Sequence, residues 1–277
     1  MVVHGPKTEA YDIDIGPVML TDWFHSYYQN LVEQVYFASE TGPILPPMAN
    51  NMLIQGKGDY QCNNTALPCV PNAGKAQFKF ETGKKHLLRL INSGAEALIF
   101  FSIDGYELTV IANDFVPVVP YKTSIVKLAV GQRTDIIVEG KNSSTEAVWM
   151  RITEGPSGLG PTGATGCSLN DGLSPDTSAA IYYQDADTSI PPNTTNQVDP
   201  SVLLFPLNCA NDDLNKTVPA FAMPVKEPTV TLNLLMTGGD NSTGAFVWCK
   251  LFFVCFCGLS TDKNNRDQQC YFPCGLQ

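Results

Sequence analysis

Between Gln77 and Glu139 the apolar positions alternate with polar ones or fall in short runs, and no helical spacing fits them. The pattern predicts strands over Gln77–Glu81, His86–Asn92, Leu98–Ile103, Glu107–Ala112, Ser124–Ala129 and Thr134–Glu139. Turn chemistry separates them at Thr82-Gly83-Lys84-Lys85, at Asp104-Gly105 and at Val130-Gly131-Gln132-Arg133. Such a series reads as antiparallel strands of an all-β sandwich or barrel with one face buried.

The flanks extend the pattern. Gly16–Phe24 predicts a first strand and Ser26–Tyr36 a short amphipathic helix. Ala147–Ile152 and Ala179–Tyr183 predict two more strands around a Gly/Pro/Ser/Thr loop from Gly155 to Thr177. Asp185–Ala222 is rich in Pro, Asn and Asp without a period and reads as a connector. A strand over Pro228–Met236 follows. From Cys249 to Gln277 the character changes, with Cys249, Cys255, Cys257, Cys270 and Cys274 crowded together. This tail reads as an aberrant or disordered end, from intron read-through or a frameshift, rather than a small Cys-rich cap. Its apolar run Leu251–Cys257 is too short to span a bilayer.

Composition narrows the function classes. Seventeen Lys and Arg face 27 Asp and Glu, a formal net charge of −10. No basic footprint for nucleic acid or an anionic membrane is present. Cys62 and Cys69 flank a short polar loop, and Cys167 and Cys209 bracket the Pro/Gly-rich region, so both pairs read as disulfides of an oxidising compartment. Metal ligation by these pairs lacks Cys-x-x-Cys spacing and a neighbouring His. Glycosylation acceptors stand at Asn63, Asn142, Asn193, Asn215 and Asn241. The chain therefore reads as secreted, although Met1–Pro6 is no signal peptide.

Arg89-Leu90-Ile91-Asn92, Asp104-Gly105, Thr109-Val110-Ile111-Ala112, Phe115-Val116-Pro117-Val118 and Val130-Gly131-Gln132-Arg133 carry a resemblance. They resemble the second cupredoxin-like domain of ascomycete laccases, which are multicopper oxidases, and the likeness runs from about His4 to Trp248. The resemblance implies a Greek-key cupredoxin-like (plastocyanin-like) β-sandwich. It assigns residues 1–14 to the end of a preceding domain, 15–184 to a copper-free second domain and 185–227 to an interdomain connector. Residues 228–248 would open a third domain, and 249–277 lie outside the likeness. The chain is thus expected to be truncated at both ends. The implied activity is oxidation of phenolic donors coupled to four-electron reduction of O2 to water, with flanking cupredoxin-like domains as partners.

That chemistry needs copper held by imidazole and thiolate donors. The sequence has three histidines, His4, His25 and His86, with no His-x-His pair. In the family the copper ligands sit in the first and third domains, so this chain alone is expected to bind no copper and to be inactive. His25 and His86 read as structural residues and His4 as solvated. Glu96 aligns with an acidic residue that some ascomycete laccases place in the loop facing the type 1 copper, where it would take the phenolic proton. Leu45 and Pro46 fall on a loop lining the same pocket. Asp104 and Asp135 read as turn residues rather than as an acid/base pair. Two alternatives remain: a secreted, non-enzymatic β-sandwich binding module, and a multicopper oxidase acting on metal ions or ascorbate.

Overall fold

The computed structural model describes residues 7–36, 47–64, 69–71, 73–154, 176–197 and 209–230. It also gives the backbone of the strands at 159–160, 163–164, 170–174, 234–240 and 246–252. The chain divides into two units, residues 1–26 with 48–223, and residues 27–47 with 224–277.

The first unit is two sheets packed face to face. One sheet has seven strands. It contains β1 (Ile13–Trp23), β2 (Ala49–Ile54), β4 (Lys85–Asn92), β6 (Leu108–Asn113), β7 (Val116–Thr123), β9 (Arg133–Glu139) and β13 (Asn170–Ser174), in the order β13-β2-β1-β4-β9-β6-β7. The other has five, β3 (Gln77–Phe80), β5 (Ile99–Ile103), β8 (Val126–Leu128), β10 (Ala147–Glu154) and β14 (Asp176–Tyr183), in the order β3-β14-β10-β5-β8. A two-residue pair, β11 (Leu159–Gly160) and β12 (Gly163–Ala164), completes this unit.

The alternation read from the sequence is what makes the core. Val18 and Leu20, Leu88 and Leu90, and Ile136 and Val138 point inward from the first sheet. They meet Phe78 and Phe80, Phe101 and Ile103, Met150 and Ile152, and Ile181 and Tyr183 from the second. Fully burying each such side chain stabilises the fold by about 1.5–3 kcal/mol relative to exposure.

Two expectations need correction. The strands are not all antiparallel: β1 runs parallel to β4, β13 to β2 and β14 to β3. Parallel neighbours need long crossovers, and between β1 and β4 the chain passes through a helix, β2 and a disulfide loop. The segment 155–177 is not loop throughout, since β11, β12 and β13 lie within it. Asn170-Asp171-Gly172-Leu173-Ser174 has no strand composition; it is a strand because it pairs with the edge of β2.

Local chemistry shapes the edges. Gly16, at φ 89°, accompanies the register shift between Asp14 and Gly16, and Asp14 Oδ1 accepts the Gly16 N–H at 2.9 Å. The β6–β7 hairpin turns through Asp114 and Phe115, both at positive φ (47° and 71°), so Phe115 belongs to the turn and not to the strand. Asp114 there pairs with Arg133 at 3.1 Å, and the Arg133 guanidinium lies 4.5 Å from the Phe115 ring centroid. The edge strand β7 is covered by residues 217–220: Val119 N–H donates to Val218 O, and Ala220 N–H to Pro117 O, both at 2.8 Å.

In the second unit, α1 (Tyr28–Tyr36) lies against β16 (Phe246–Phe252), which pairs antiparallel with β15 (Leu234–Asp240) from Leu234↔Phe252 to Asp240↔Phe246. The tail beyond Phe252 is outside the described residues.

Candidate functional site

The loop Ser93–Ala97 joins β4 to β5 and carries Glu96. Every backbone N–H in it is tied down. Ser93 N–H donates to Leu20 O at 2.8 Å and Gly94 N–H to Asn92 Oδ1 at 2.9 Å. The N–H groups of Ala95, Glu96 and Ala97 all donate to the Asp22 carboxylate, at 2.8, 2.7 and 2.7 Å. Asp22 can do this because it occupies an inward register position of β1, two residues after Leu20, and is buried. Hydrogen bonds to a charged acceptor are each worth about 1.5–3 kcal/mol.

Asn92 completes the frame from the other side. Its Nδ2 donates to the carbonyls of Ala97 and Leu128, each at 2.9 Å, and the side chain is buried. Its backbone is clasped by the Val130–Arg133 turn: Asn92 N–H donates to Gln132 O and Gly131 N–H to Asn92 O, both at 3.0 Å. Gly131 holds φ 80°, the left-handed conformation that glycine adopts without strain. Gly94 is required for close approach, because a Cβ there would lie 2.8 Å from Asp22 Oδ1 and 3.0 Å from Asn92 Oδ1. Glu96 is thus a half-buried carboxylate on a loop whose backbone is fixed at every amide.

The other expected site residues fall as follows. Leu45 and Pro46 lie outside the described residues. Cys62 and Cys69 form a disulfide. Cys209 is disulfide-bonded as well, while Cys167 lies outside the described residues. Asn63, Asn142, Asn193 and Asn215 are exposed, and Asn241 is outside the described residues. Asp104 is not an ordinary turn residue. It is buried, and Arg151 clamps it with two 2.8 Å bonds, Nε to Oδ1 and Nη2 to Oδ2, while the Thr194 hydroxyl donates to Oδ2 at 2.8 Å. Asp135 lies within β9, cross-strand from Arg89; burial pushes its carboxyl above the usual range and Arg89 opposes that.

Two histidines have structural partners. The His25 ring stacks on Tyr60 at 4.0 Å, and its Nε2 sits 3.2 Å from Asn51 Oδ1. His86 is fully buried and stacks on Phe80 at 4.1 Å, and its Nε2 accepts the Glu81 N–H at 2.9 Å. Burial holds its pKa below the ordinary 6.5. His4 lies outside the described residues.

A copper centre of the multicopper oxidase kind needs several imidazoles converging on one point. Among the described residues no three His, Cys, Asp or Glu come together. The described residues by themselves do not present the donor set of such a centre. Clefts among the described residues include one of about 350 Å³ on the outer face of the five-stranded sheet and one of about 240 Å³ beside β7, and Glu96 lines neither.

The sequence profile described as multicopper oxidase matches residues 14–170. Oxidoreductase OpS5 of Beauveria bassiana is 36% identical over 251 residues, covering 90% of this chain and 39% of that protein. Laccase-2 of Botryotinia fuckeliana is 34% identical over 228 residues, covering 81% and 35%. The chain therefore spans little more than a third of the length of these relatives. The crystal structure of the laccase from Botrytis aclada superposes with a TM-score of 0.72 at 28% identity, over 90% of this chain and 41% of that one. Fet3p, a multicopper oxidase that functions in iron import, shares the fold at a TM-score of 0.64 and 17% identity, over 88% and 40%. The all-β cupredoxin-like sandwich expected from the sequence is the observed one. The chain belongs to the multicopper oxidase family.

Proposed function

We propose that this chain supplies the copper-free middle sandwich of a laccase-like oxidase. Residues 15–184 form that sandwich, 185–227 the connector and 228–248 the opening strands of the next. The oxidase would oxidise phenolic donors and reduce O2 to water, with copper held by the flanking cupredoxin-like domains. A secreted, glycosylated setting accords with the Cys62–Cys69 disulfide and with four exposed acceptor asparagines.

The observation that carries the reading is the fixed loop Ser93–Ala97. Its anchors, Asp22 and Asn92, hold the backbone of Glu96 in one position. A phenol becomes far more acidic as it loses an electron, and a carboxylate held beside its hydroxyl accepts that proton in the same step. Glu96 is the residue assigned that role. Its conjugate acid then releases the proton to solvent before the next donor.

The test uses a laccase carrying residues 15–184 as its middle sandwich. Glu96→Gln should lower kcat/KM for a phenol by roughly 10²-fold, the low end of general-base contributions. Oxidation of ferrocyanide, which releases no proton, should stay unchanged. Equal losses on both donors would remove the proton-acceptor role. Separately, the 277-residue chain alone should take up no stoichiometric copper on dialysis and oxidise no phenol.

A further inference from the structure

The middle of the five-stranded sheet presents a polar row to its outer side. Register places Arg151 on β10 between Ser102 on β5 and Ser178 on β14, and Thr153 between Phe100 and Asp176. An outer sheet face is normally open to water, but here Ser102 and Phe100 are buried. A cleft of about 350 Å³ lies over this row, bounded also by Lys75, Asp59 and Asn196. That volume is within the range of small-ligand pockets, roughly 300–1,000 Å³.

Arg151 has unused hydrogen-bonding capacity in the cleft. Arg151 is held rigidly through Nε and Nη2 by Asp104 and Thr194, while Nη1 has no partner among the described residues. Thr177 does not contribute its hydroxyl, since it shares the inward face of β14 with Ala179 and Ile181.

Charge decides the ligand class. Arg151 is neutralised by Asp104 and Lys75 by Asp59, and Asp176 adds a further carboxylate. A net acidic cleft disfavours anions, and a lone unpaired carboxylate does not make a cation site. What fits is an uncharged molecule with closely spaced donors and acceptors and some apolar C–H surface. Phe100 and Ile125 supply the apolar wall. Trp149 faces outward two residues before Arg151, with Lys75 Nζ 5.7 Å from its ring centroid. We propose that this cleft, built on Ser102, Arg151 and Ser178, binds a neutral sugar residue.

The sugar could come from the chain's own glycan or from a separate saccharide. Asn193, an exposed acceptor, lies three residues before Asn196 of the cleft wall. The test titrates the unglycosylated 277-residue chain with chitobiose, cellobiose and xylobiose, read by saturation-transfer NMR and calorimetry. Saturable one-site binding of at least one disaccharide is expected. Ser178→Leu, which fills the cleft, should weaken it by about tenfold or more. A melting temperature near the parent's separates this from misfolding. If the glycan at Asn193 is the occupant, chain secreted from yeast should refuse added sugar until Asn193→Gln restores binding. If a separate saccharide is the occupant, both preparations should bind alike. Absence of saturable binding in the unglycosylated chain, or undiminished binding in a folded Ser178→Leu chain, overturns the proposal.

Discussion

Asp22 and Asp104 are both buried carboxylates of the same sandwich, yet they are satisfied in opposite ways. Asp22 takes three backbone N–H groups from one loop and so dictates that loop's shape. Asp104 takes a guanidinium and a hydroxyl and ties the end of β5 to β10 and to residue 194. Removing a partner from Asp104 strands a charge, whereas altering Asp22 frees a segment of backbone. The Asp104 clamp ties strands together, and the Asp22 carboxylate fixes the backbone at Glu96.

Four substitutions test that contrast, beginning with the largest effect. Arg151→Met leaves the Asp104 carboxylate buried without its cation. Breaking such a pair from one side costs about 3–5 kcal/mol, with Arg151 a quarter exposed and the effect therefore near the lower figure. Urea unfolding should show the loss with an unchanged slope, and the loop at Glu96 should keep its amide-exchange protection. A loss under about 1 kcal/mol would mean the pair is screened like a surface one.

Asp22→Asn should cost about 2–3 kcal/mol, since one of the carboxylate's oxygens becomes an NH2 that faces backbone donors. Here the expected signature is local. Amide exchange should rise at Ala95, Glu96 and Ala97 well beyond the global change, and phenol oxidation in the intact oxidase should fall as Glu96 loses its position. Uniform acceleration of exchange across β4 and β9 would contradict the loop-specific role. Gly94→Ala should cost about 1–3 kcal/mol as an overpacking change, because the added Cβ meets Asp22 Oδ1 at 2.8 Å. Combined with Asp22→Asn, its effect should be less than additive, since both act on one contact.

The contrast also marks how far sequence reaches. Asp22 was legible in principle: Val18, Leu20 and Asp22 occupy one face of β1, so the alternation that locates the core also places a carboxylate inside it. Most strands of the two large sheets follow from the same alternation, which is a local property, whereas β7, with two prolines, does not. The Asp104–Arg151 clamp has no local signal, because 47 residues separate the partners and only the pairing of β5 with β10 brings them together. The parallel neighbours of β1 and β14, and β13 with its Gly/Asp/Asn-rich sequence, were hidden for the same reason. In the sequence the Glu96 loop stands out only by its resemblance to laccases, and its rigidity rests on the bonds of five consecutive amides.

The smallest effect belongs to a third buried polar side chain, His86, which contrasts with both carboxylates by being held neutral. Its Nε2 accepts the Glu81 N–H, so a proton cannot be added there without breaking that bond, and burial depresses its pKa below 6.5. In the unfolded chain the ring titrates near its ordinary value, so acid favours unfolding. The contribution of His86 to stability is complete above about pH 6.5 and is lost as pH falls below it toward the folded-state pKa. His86→Gln keeps a side-chain acceptor for Glu81 and cannot be protonated. The variant should start less stable at neutral pH through lost stacking on Phe80, yet lose less stability than the parent between about pH 6.5 and 5. Parallel decline of both chains over that interval would assign the acid sensitivity to other groups, and a steeper decline in the variant would reverse the sign argued here.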